Sequence, residues 1–117
     1  MLESTLAGKR DYDMIVIQIA KEFSRYPAGR KIKDGPFSGE LFRKKFLEPN
    51  LQIHDKLVIE LDGARGYGSS FLEEAFGGLV RAGYSKEILK EKLIIKATNQ
   101  SLEAEIFDFI DMADKPA

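Results

Sequence analysis

The sequence of 117 residues has no cysteine and a single histidine, His54. Without cysteine, the chain can form no disulfide, thiolate metal site or cysteine nucleophile. One histidine is too few for a metal site built from several histidines, and it leaves little for a histidine-dependent catalytic triad. We therefore predict that the protein is not an enzyme and that it carries no metal and no cofactor.

An excess of charge and long apolar runs are also missing. The 18 basic side chains face 19 acidic ones, and the net charge is −1, so no overall positive field would attract nucleic acid or anionic lipid. No apolar run approaches the ~20 residues that cross a bilayer, and the first residues contain no apolar signal core. We expect a small soluble cytoplasmic domain without a nucleic-acid or membrane partner.

Three short runs rich in β-branched residues predict buried strands, and apolar residues at helical spacing predict three helices. The strand runs are residues 14–19, 56–61 and 92–97. The first helix covers residues 40–47 and ends before Pro49, because the residue preceding a proline avoids the helical region. The second covers residues 72–80 and is closed by Gly83. The third follows Ser101.

Residues 23–39 are rich in glycine and proline, and they form a long connection for a compact domain. A short edge strand at residues 30–33 and a turn at residues 34–36 would shorten the connection, and Ser38 would then cap the first helix. Strands that alternate with helices predict an α/β layer with parallel strands joined by right-handed crossovers. The predicted boundaries are a lead-in at residues 1–13, one domain at residues 14–113 and a tail at residues 114–117.

A glycine-rich bend at residues 62–71 follows the second predicted strand and opens the second helix. Backbone N–H groups and the helix dipole favour an anion at such a position. Arg65 lies within the bend, where it could neutralise a phosphate. The glycines match neither the dinucleotide-binding nor the P-loop pattern, so the sequence does not predict either of those sites.

The two serines of this bend have two interpretations. Ser70 and Glu73 have the spacing of a capping box, which would satisfy two free backbone N–H groups. Alternatively, Ser69 or Ser70 is a regulatory phosphoserine, because about two negative charges at a helix N-terminus are tolerated while they alter a partner surface. Both interpretations hold together if Ser70 caps the helix and Ser69 is exposed.

The other polar residues give weaker signals. Adjacent Glu73 and Glu74 do not face one another on a helix, so they do not form an acid–base pair. His54 and Ser69 lie at opposite ends of a strand of about seven residues, which spans ~23 Å, so they do not form a catalytic dyad. A basic segment interrupts the glycine-proline connection, and it is either a solvated loop or a site for a phosphate or an acidic partner. Its members are Arg25, Arg30, Lys31 and Lys33.

Two aromatic residues bracket the serines. Phe71 is expected in the core, whereas Tyr67 is either a core residue or an exposed anchor for a partner.

The sequence resembles a known family in the order of its motifs, which read SGELFRKKFLEP, KLVIELDGARGYGSSFLEEAFGGLVR and KLIIKA. The similarity is to the STAS-like family of bacterial domains, and it covers roughly residues 14–110. The motif is a strand ending in an acidic residue, here Asp62, a bend of glycine and small residues, and a helix that begins at Ser70.

This resemblance implies a relative of the STAS domains, which include anti-sigma-factor antagonists. The implied fold is a STAS-like α/β layer, with a mixed sheet of about four strands and three helices mostly on one face. In the antagonists, a D-S-S-G segment carries a serine that a kinase of the GHKL ATPase superfamily phosphorylates. The corresponding segment here, 68–71, places Ser69 at the phosphorylated position, with Gly68 in place of the aspartate and Phe71 in place of the glycine.

The functional prediction is a non-enzymatic regulatory module that binds a GHKL-type ATPase or kinase and is switched by serine phosphorylation. The alternative is a small-ligand, nucleotide or phosphate-binding domain that uses the glycine-rich bend. The predicted site is the same in both cases. It comprises Arg65, Gly66, Tyr67, Gly68, Ser69, Ser70 and Glu73.

Overall fold

Three parallel strands form a sheet in the part of the chain that the computed structural model describes, residues 13–115. The strands are β1 (Met14–Gln18), β2 (Lys56–Glu60) and β3 (Leu93–Lys96). Their order is β1-β2-β3, so β2 is the central strand. In this register, Val58 lies between Val16 on one side and Ile94 on the other.

Four longer helices accompany the sheet, and the first two contain a π-helical turn. Helix α1 covers residues 39–53 and consists of Gly39–Phe42, the π-helical turn Arg43–Leu47, and Glu48–Ile53. Helix α2 covers residues 69–81 and consists of Ser69–Leu72, the π-helical turn Glu73–Gly77, and Gly78–Arg81. Helix α3 is Lys86–Lys92, and helix α4 is Ser101–Met112.

Alternation along the outer strands β1 and β3 separates a buried face of the sheet from a more open one, whereas Leu57, Val58 and Ile59 of the central strand are all buried. In β3, Leu93 and Ile95 are buried while Ile94 and Lys96 are exposed, and Ile17 of β1 is buried beside exposed Val16. The buried strand residues share one apolar core with residues of α1, α2 and α4. The described helices therefore cover one face of the sheet, because successive side chains of a strand point to opposite faces.

Several local signals in the sequence are confirmed. Ser38 is the N-cap of α1, where its Oγ accepts a hydrogen bond from the backbone N–H of Leu41 at 3.1 Å. Gly83 follows the end of α2 with a φ of 110°, a conformation that glycine adopts more easily than residues with a Cβ atom. The three predicted strands match β1, β2 and β3 to within one residue at each end.

The predicted end of the first helix before Pro49 is wrong, because α1 continues to Ile53. The π-helical turn Arg43–Leu47 ends two residues before this proline, and the backbone N–H of Glu48 donates to the carbonyl of Arg43, five residues earlier. A π-helical turn widens the helix locally, which relieves the clash between a proline ring and the preceding turn. The side chain of Asn50 also donates to the carbonyl of Phe46 at 2.7 Å, which satisfies an acceptor in this region.

The predicted edge strand at residues 30–33 is also wrong, because a short 3-10 helix, Ile32–Asp34, forms there instead. Carboxylates occupy the backbone donors that a strand would need. Asp34 accepts from the N–H of Lys31 at 2.8 Å, and Glu40 accepts from the N–H of Ile32 at 2.9 Å. The fourth strand and the mixed sheet are therefore not confirmed, since all strands within residues 13–115 are parallel.

Helix α3 was not predicted. Ser85 caps it by accepting from the N–H of Ile88 at 3.1 Å, and Leu89 is buried. The helix has only seven residues, so its single buried leucine gives no repeating apolar pattern. The lead-in at residues 1–13 lies almost wholly outside the described residues, and the domain boundaries remain a prediction.

The start of α1 lies against α2 at very short range, and a glycine makes this approach feasible. A Cβ atom built on Gly39 would lie 2.4 Å from the carbonyl oxygen of Phe71 and 3.1 Å from the backbone nitrogen of Ala75. Both atoms belong to the backbone of α2, which cannot move aside as a flexible side chain could. Any residue larger than glycine at this position would push the two helices apart.

We predict that Gly39→Ala lowers the free energy of unfolding by about 2 kcal/mol, because overpacking a tight contact shifts backbone. The gain in helix propensity from alanine, about 1 kcal/mol at most, would not offset this loss. Urea denaturation measures the difference. Gly66→Ala is the matched control, since its added Cβ would have no neighbour within 4 Å. Equal stabilities for the two variants would contradict the tight approach of α1 and α2.

Candidate functional site

The two serines of the bend lie at the exposed beginning of α2. Gly68 is the N-cap residue and provides no side-chain bond, so Ser69 and Ser70 occupy the first two helical positions. Both serines are exposed, and neither hydroxyl makes a hydrogen bond to any of the described residues. The predicted capping box of Ser70 and Glu73 is therefore wrong. Both hydroxyls remain exposed at the start of α2.

Glu73 does not cap the helix because two arginines hold its carboxylate. Arg81 donates from both terminal nitrogens, at 2.6 and 3.1 Å, and Arg30 of the glycine-proline connection also pairs with Glu73. The hydrogen bonds from Arg81, followed by those from Arg30, hold the pKa of Glu73 below its usual value despite partial burial. Glu73 thus fastens the glycine-proline connection to α2, and its carboxylate is not available to bond with the serines.

Its neighbour Glu74 is almost completely buried, with 2% of its surface exposed, and it lies at the centre of an ion-pair network. Arg43 of α1 donates to the Glu74 carboxylate at 3.0 Å and to its backbone carbonyl at 3.2 Å. Lys31 lies 3.4 Å from the same carboxylate, and Arg30 lies 3.6 Å from it. The basic segment is therefore not a simple solvated loop, because Arg30 and Lys31 bind carboxylates of the chain itself.

Arg65 contacts the glycine-proline connection. Its backbone N–H donates to the carbonyl of Arg25 at 2.8 Å. Its guanidinium carbon lies 6.0 Å from the centre of the Tyr26 ring, a distance typical of a cation–π contact. Arg65 is exposed and makes no ion pair with the described residues.

Tyr67 is partly buried and anchors the bend. Its hydroxyl donates to the carbonyl of Leu61 at 2.6 Å, and its ring packs 6.0 Å from that of the buried Phe71. Burial raises the pKa of the Tyr67 hydroxyl, and the negative charge of Asp62 adds to the effect. Of the two alternatives for Tyr67, the structure favours a core contact, and the prediction that Phe71 is buried is confirmed.

A cleft of about 460 Å³ opens where β2 and β3 end. In open α/β sheets, the crevice beyond the carboxyl ends of the strands is the usual place for a ligand. Of the predicted site residues, only Gly66 and Tyr67 line it. The full lining is Leu61, Asp62, Gly63, Ala64, Gly66, Tyr67, Thr98, Asn99 and Leu102.

Asp62 joins the two strand ends that border the cleft. Its carboxylate accepts from the backbone N–H of Thr98 at 3.0 Å and from the Thr98 hydroxyl at 2.8 Å. These two bonds, the backbone bond first, hold the pKa of Asp62 below its usual value. Thr98 and Asn99 were not predicted as site residues, and the one signal for them in the sequence was their place directly after a predicted strand.

The cleft lining contains neither lysine nor arginine. Together with the position of Arg65 against Tyr26, this separates the predicted site into two parts. Ser69 and Ser70 form an exposed helix start, whereas Gly66 and Tyr67 belong to the cleft.

The remaining candidates for chemistry lie elsewhere. His54 follows α1, and its Nδ1 lies 3.0 Å from a carboxylate oxygen of Asp13. No group of three or more histidines and carboxylates that could hold a metal ion occurs within residues 13–115. In the same range, no helix combines the length and the apolar character needed to cross a membrane.

A comparison with protein families identifies the chain. A family model described as a STAS-like domain of unknown function (DUF4325) matches residues 38–103, more than half of the sequence. The chain belongs to this family. The match includes α1, β2, the bend, α2, α3 and β3, and it therefore contains both the serines and the cleft. Searches of curated proteins and of solved structures returned no match.

Membership confirms the resemblance noted in the sequence. It also agrees with the observed α/β arrangement of a parallel sheet and several helices. The family description says nothing of an activity, a ligand or a partner. The roles of the serines and of the cleft in this STAS-like domain therefore depend on their geometry.

We predict that Thr98→Val raises the pKa of Asp62 part of the way towards its usual value of about 3.9, because the hydroxyl bond is lost and the backbone bond remains. Carbon-detected NMR of the Asp62 carboxyl group measures this. A lowered pKa in the folded state stabilises the protein above the unfolded value, and this contribution disappears as the pH falls through the folded value. The variant should therefore be less stable at pH 7, and the difference should shrink below about pH 4.

Glu40 provides the internal control for this experiment. Its pKa is lowered first by the bond from the backbone of Ile32 and then by Lys44, so Thr98→Val should leave it unchanged. An unchanged Asp62 pKa in the variant would show that the threonine hydroxyl does not hold the two strand ends together.

Proposed function

We propose that this STAS-like domain is a non-enzymatic regulatory module that binds a GHKL-type ATPase or kinase and is switched by phosphorylation of Ser69. The observation that supports the proposal is the exposed serine pair at the start of α2, whose hydroxyls make no bond to the described residues. The hydroxyls are therefore open to a phosphorylating enzyme. Ser70 has the same exposure and is the second candidate for modification.

The surroundings of Ser69 suit a phosphate. The first backbone N–H groups of a helix have no partner within the helix, and the dipole places partial positive charge there. Glu73 lies one turn further along on the same side, where a bare carboxylate would repel a phosphate. That carboxylate is already neutralised by Arg81 and Arg30. A phosphoserine would therefore add its charge without facing an unpaired negative group.

Among the described residues, neither His54 nor Glu73 is suited to act as a base on Ser69, which supports a non-enzymatic role. His54 precedes β2 and Ser69 follows the bend after it, so the five residues of the strand separate them. A strand of this length spans about 17 Å. Glu73 is held by two arginines and is a poor base, because its carboxylate is stabilised in the charged form.

We predict that the protein from its native host contains a species about 80 Da heavier than the calculated mass, corresponding to one phosphoryl group. Phosphatase should remove it, and Ser69→Ala should abolish it. Intact-mass spectrometry with site mapping makes the measurement. Ser101→Ala is the matched control, because Ser101 is also an exposed serine at the first position of a helix.

Two results together would contradict the proposal. The first is an unmodified Ser69 and Ser70 under all growth conditions tested. The second is that a pull-down with this protein from its native host recovers no ATPase or kinase in an ATP-sensitive complex.

A second function, binding of a small ligand, is favoured by the cleft at the ends of β2 and β3. The cleft offers the Asp62 carboxylate and the Asn99 amide but no lysine or arginine. Unlike a phosphate site, this lining suits a neutral polar molecule, since no cation within it would balance a phosphate. If the cleft binds a small ligand, we expect it to bind a nucleoside in preference to the corresponding nucleotide.

Thermal unfolding with adenosine, guanosine, ATP and GTP tests this second function. A ligand of the folded state raises the midpoint, and the stabilisation grows as RT ln(1 + [L]/Kd). We predict a larger increase with the nucleosides than with the nucleotides. Gly66→Leu should weaken the effect, because Gly66 lines the cleft and an added Cβ atom there would have no neighbouring atom within 4 Å. No shift with millimolar nucleoside would exclude this version.

A further inference from the structure

We propose that Arg25, Tyr26 and Arg65 form a docking surface, here called the loop–bend surface, for an acidic segment of a partner protein. The inference rests on the proposed function for the existence of a partner, and it adds the chemistry by which that partner is recognised. The surface joins the glycine-proline connection to the bend that carries the serines.

Backbone hydrogen bonds hold the loop–bend surface in place. The N–H of Arg65 donates to the carbonyl of Arg25, which brings the bend and the connection together. The N–H of Tyr26 donates to the hydroxyl of Ser24 at 2.9 Å, and Ser24 is buried. Because its backbone is fixed on both sides, this surface can bind a partner without a large loss of conformational entropy.

The two arginines of this surface have no carboxylate partner among the described residues. Arg30 and Lys31 neighbour it in the sequence, yet both pair with Glu73 or Glu74. Arg25 and Arg65 instead make no ion pair with a carboxylate of the described residues. Since the whole chain has a net charge of −1, this positive surface is a local feature. It is complementary to carboxylates of a partner.

Tyr26 supplies the apolar part of the surface. It is 61% exposed, although large aromatic side chains are more often buried, and Arg65 lies over its ring. Tyrosine and arginine are the residue types that most often dominate the binding energy of protein interfaces. The complementary partner segment therefore carries acidic residues around one aromatic or aliphatic side chain.

A nucleic acid fits this surface less well than an acidic peptide. Proteins that bind duplex DNA commonly make about 6–10 phosphate contacts, whereas the loop–bend surface offers two arginines. Nucleic-acid binding is nevertheless a measurable outcome of the experiment, and it would overturn the inference.

The test is an NMR titration of the full chain, labelled with nitrogen-15, with a short peptide that has one phenylalanine between two runs of glutamate. The expected result is a saturable shift of the amide signals of Arg25, Tyr26, Arg65 and Gly66. A peptide with glutamine in place of every glutamate should cause no such shift. Raising the salt concentration should weaken binding, because exposed charge pairs are screened.

Substitutions show whether these side chains are responsible. Arg25→Gln with Arg65→Gln should lower the affinity for the peptide by about tenfold or more, because the carboxylates of the peptide lose the cations that they bind. The hydrogen bond between Arg65 and Arg25 uses backbone atoms, so the double variant should remain folded, which its own amide spectrum checks. Lys44→Gln with Lys45→Gln is the control, since both are exposed lysines on α1 and the double substitution removes the same two charges elsewhere.

Three results would overturn the inference. They are equal binding of the glutamine peptide, signal changes confined to other surfaces, and tighter binding of a single-stranded oligonucleotide at the same residues. The mass measurement on Ser69 does not depend on these arginines. If Ser69 is phosphorylated but the peptide fails to bind, the docking inference alone is wrong.

Discussion

The ion pair between Arg43 and Glu74 is the interaction on which the arrangement of the helices depends. It joins α1 to α2 inside the protein, and Arg43 also donates to Glu48 at 2.5 Å. Gly78 makes room for it, because a Cβ atom there would lie 2.6 Å from Nε of Arg43. A buried pair of this kind adds little net stability over an apolar contact, but the loss of either partner would leave an uncompensated buried charge. Removal of either partner would therefore destabilise the packing of α1 against α2.

The same network of ion pairs holds the glycine-proline connection in place. Arg30 and Lys31 extend from this loop to Glu73 and Glu74, so the carboxylates of α2 are shared between the loop and α1. The serines at the start of α2 remain outside the network. The protein thus uses its acidic residues on α2 for internal structure and leaves the beginning of that helix open to other molecules.

Local patterns in the sequence predicted the structural features that depend only on residues close together in the chain. The three strands, the cap at Ser38 and the apolar face of α2 are of this kind. The capping box of Ser70 and Glu73 failed because Arg30 lies 43 residues from Glu73 in the chain and still competes for its carboxylate. The cleft was missed for the same reason, since Asp62 and Thr98 are 36 residues apart. Family resemblance predicted the α/β arrangement, but it could not show which hydroxyls and cations remain without internal partners.

The bend between β2 and α2 connects these features because it is held at three points. Asp62 attaches its beginning to Thr98, Tyr67 attaches its end to Leu61, and between them Arg65 attaches it to Arg25. Each contact faces a different neighbour, so the bend presents the cleft on one side and the loop–bend surface on another. A segment with three such anchors loses little conformational freedom when it binds a partner. Recognition by this domain would therefore depend on surfaces that exist before binding.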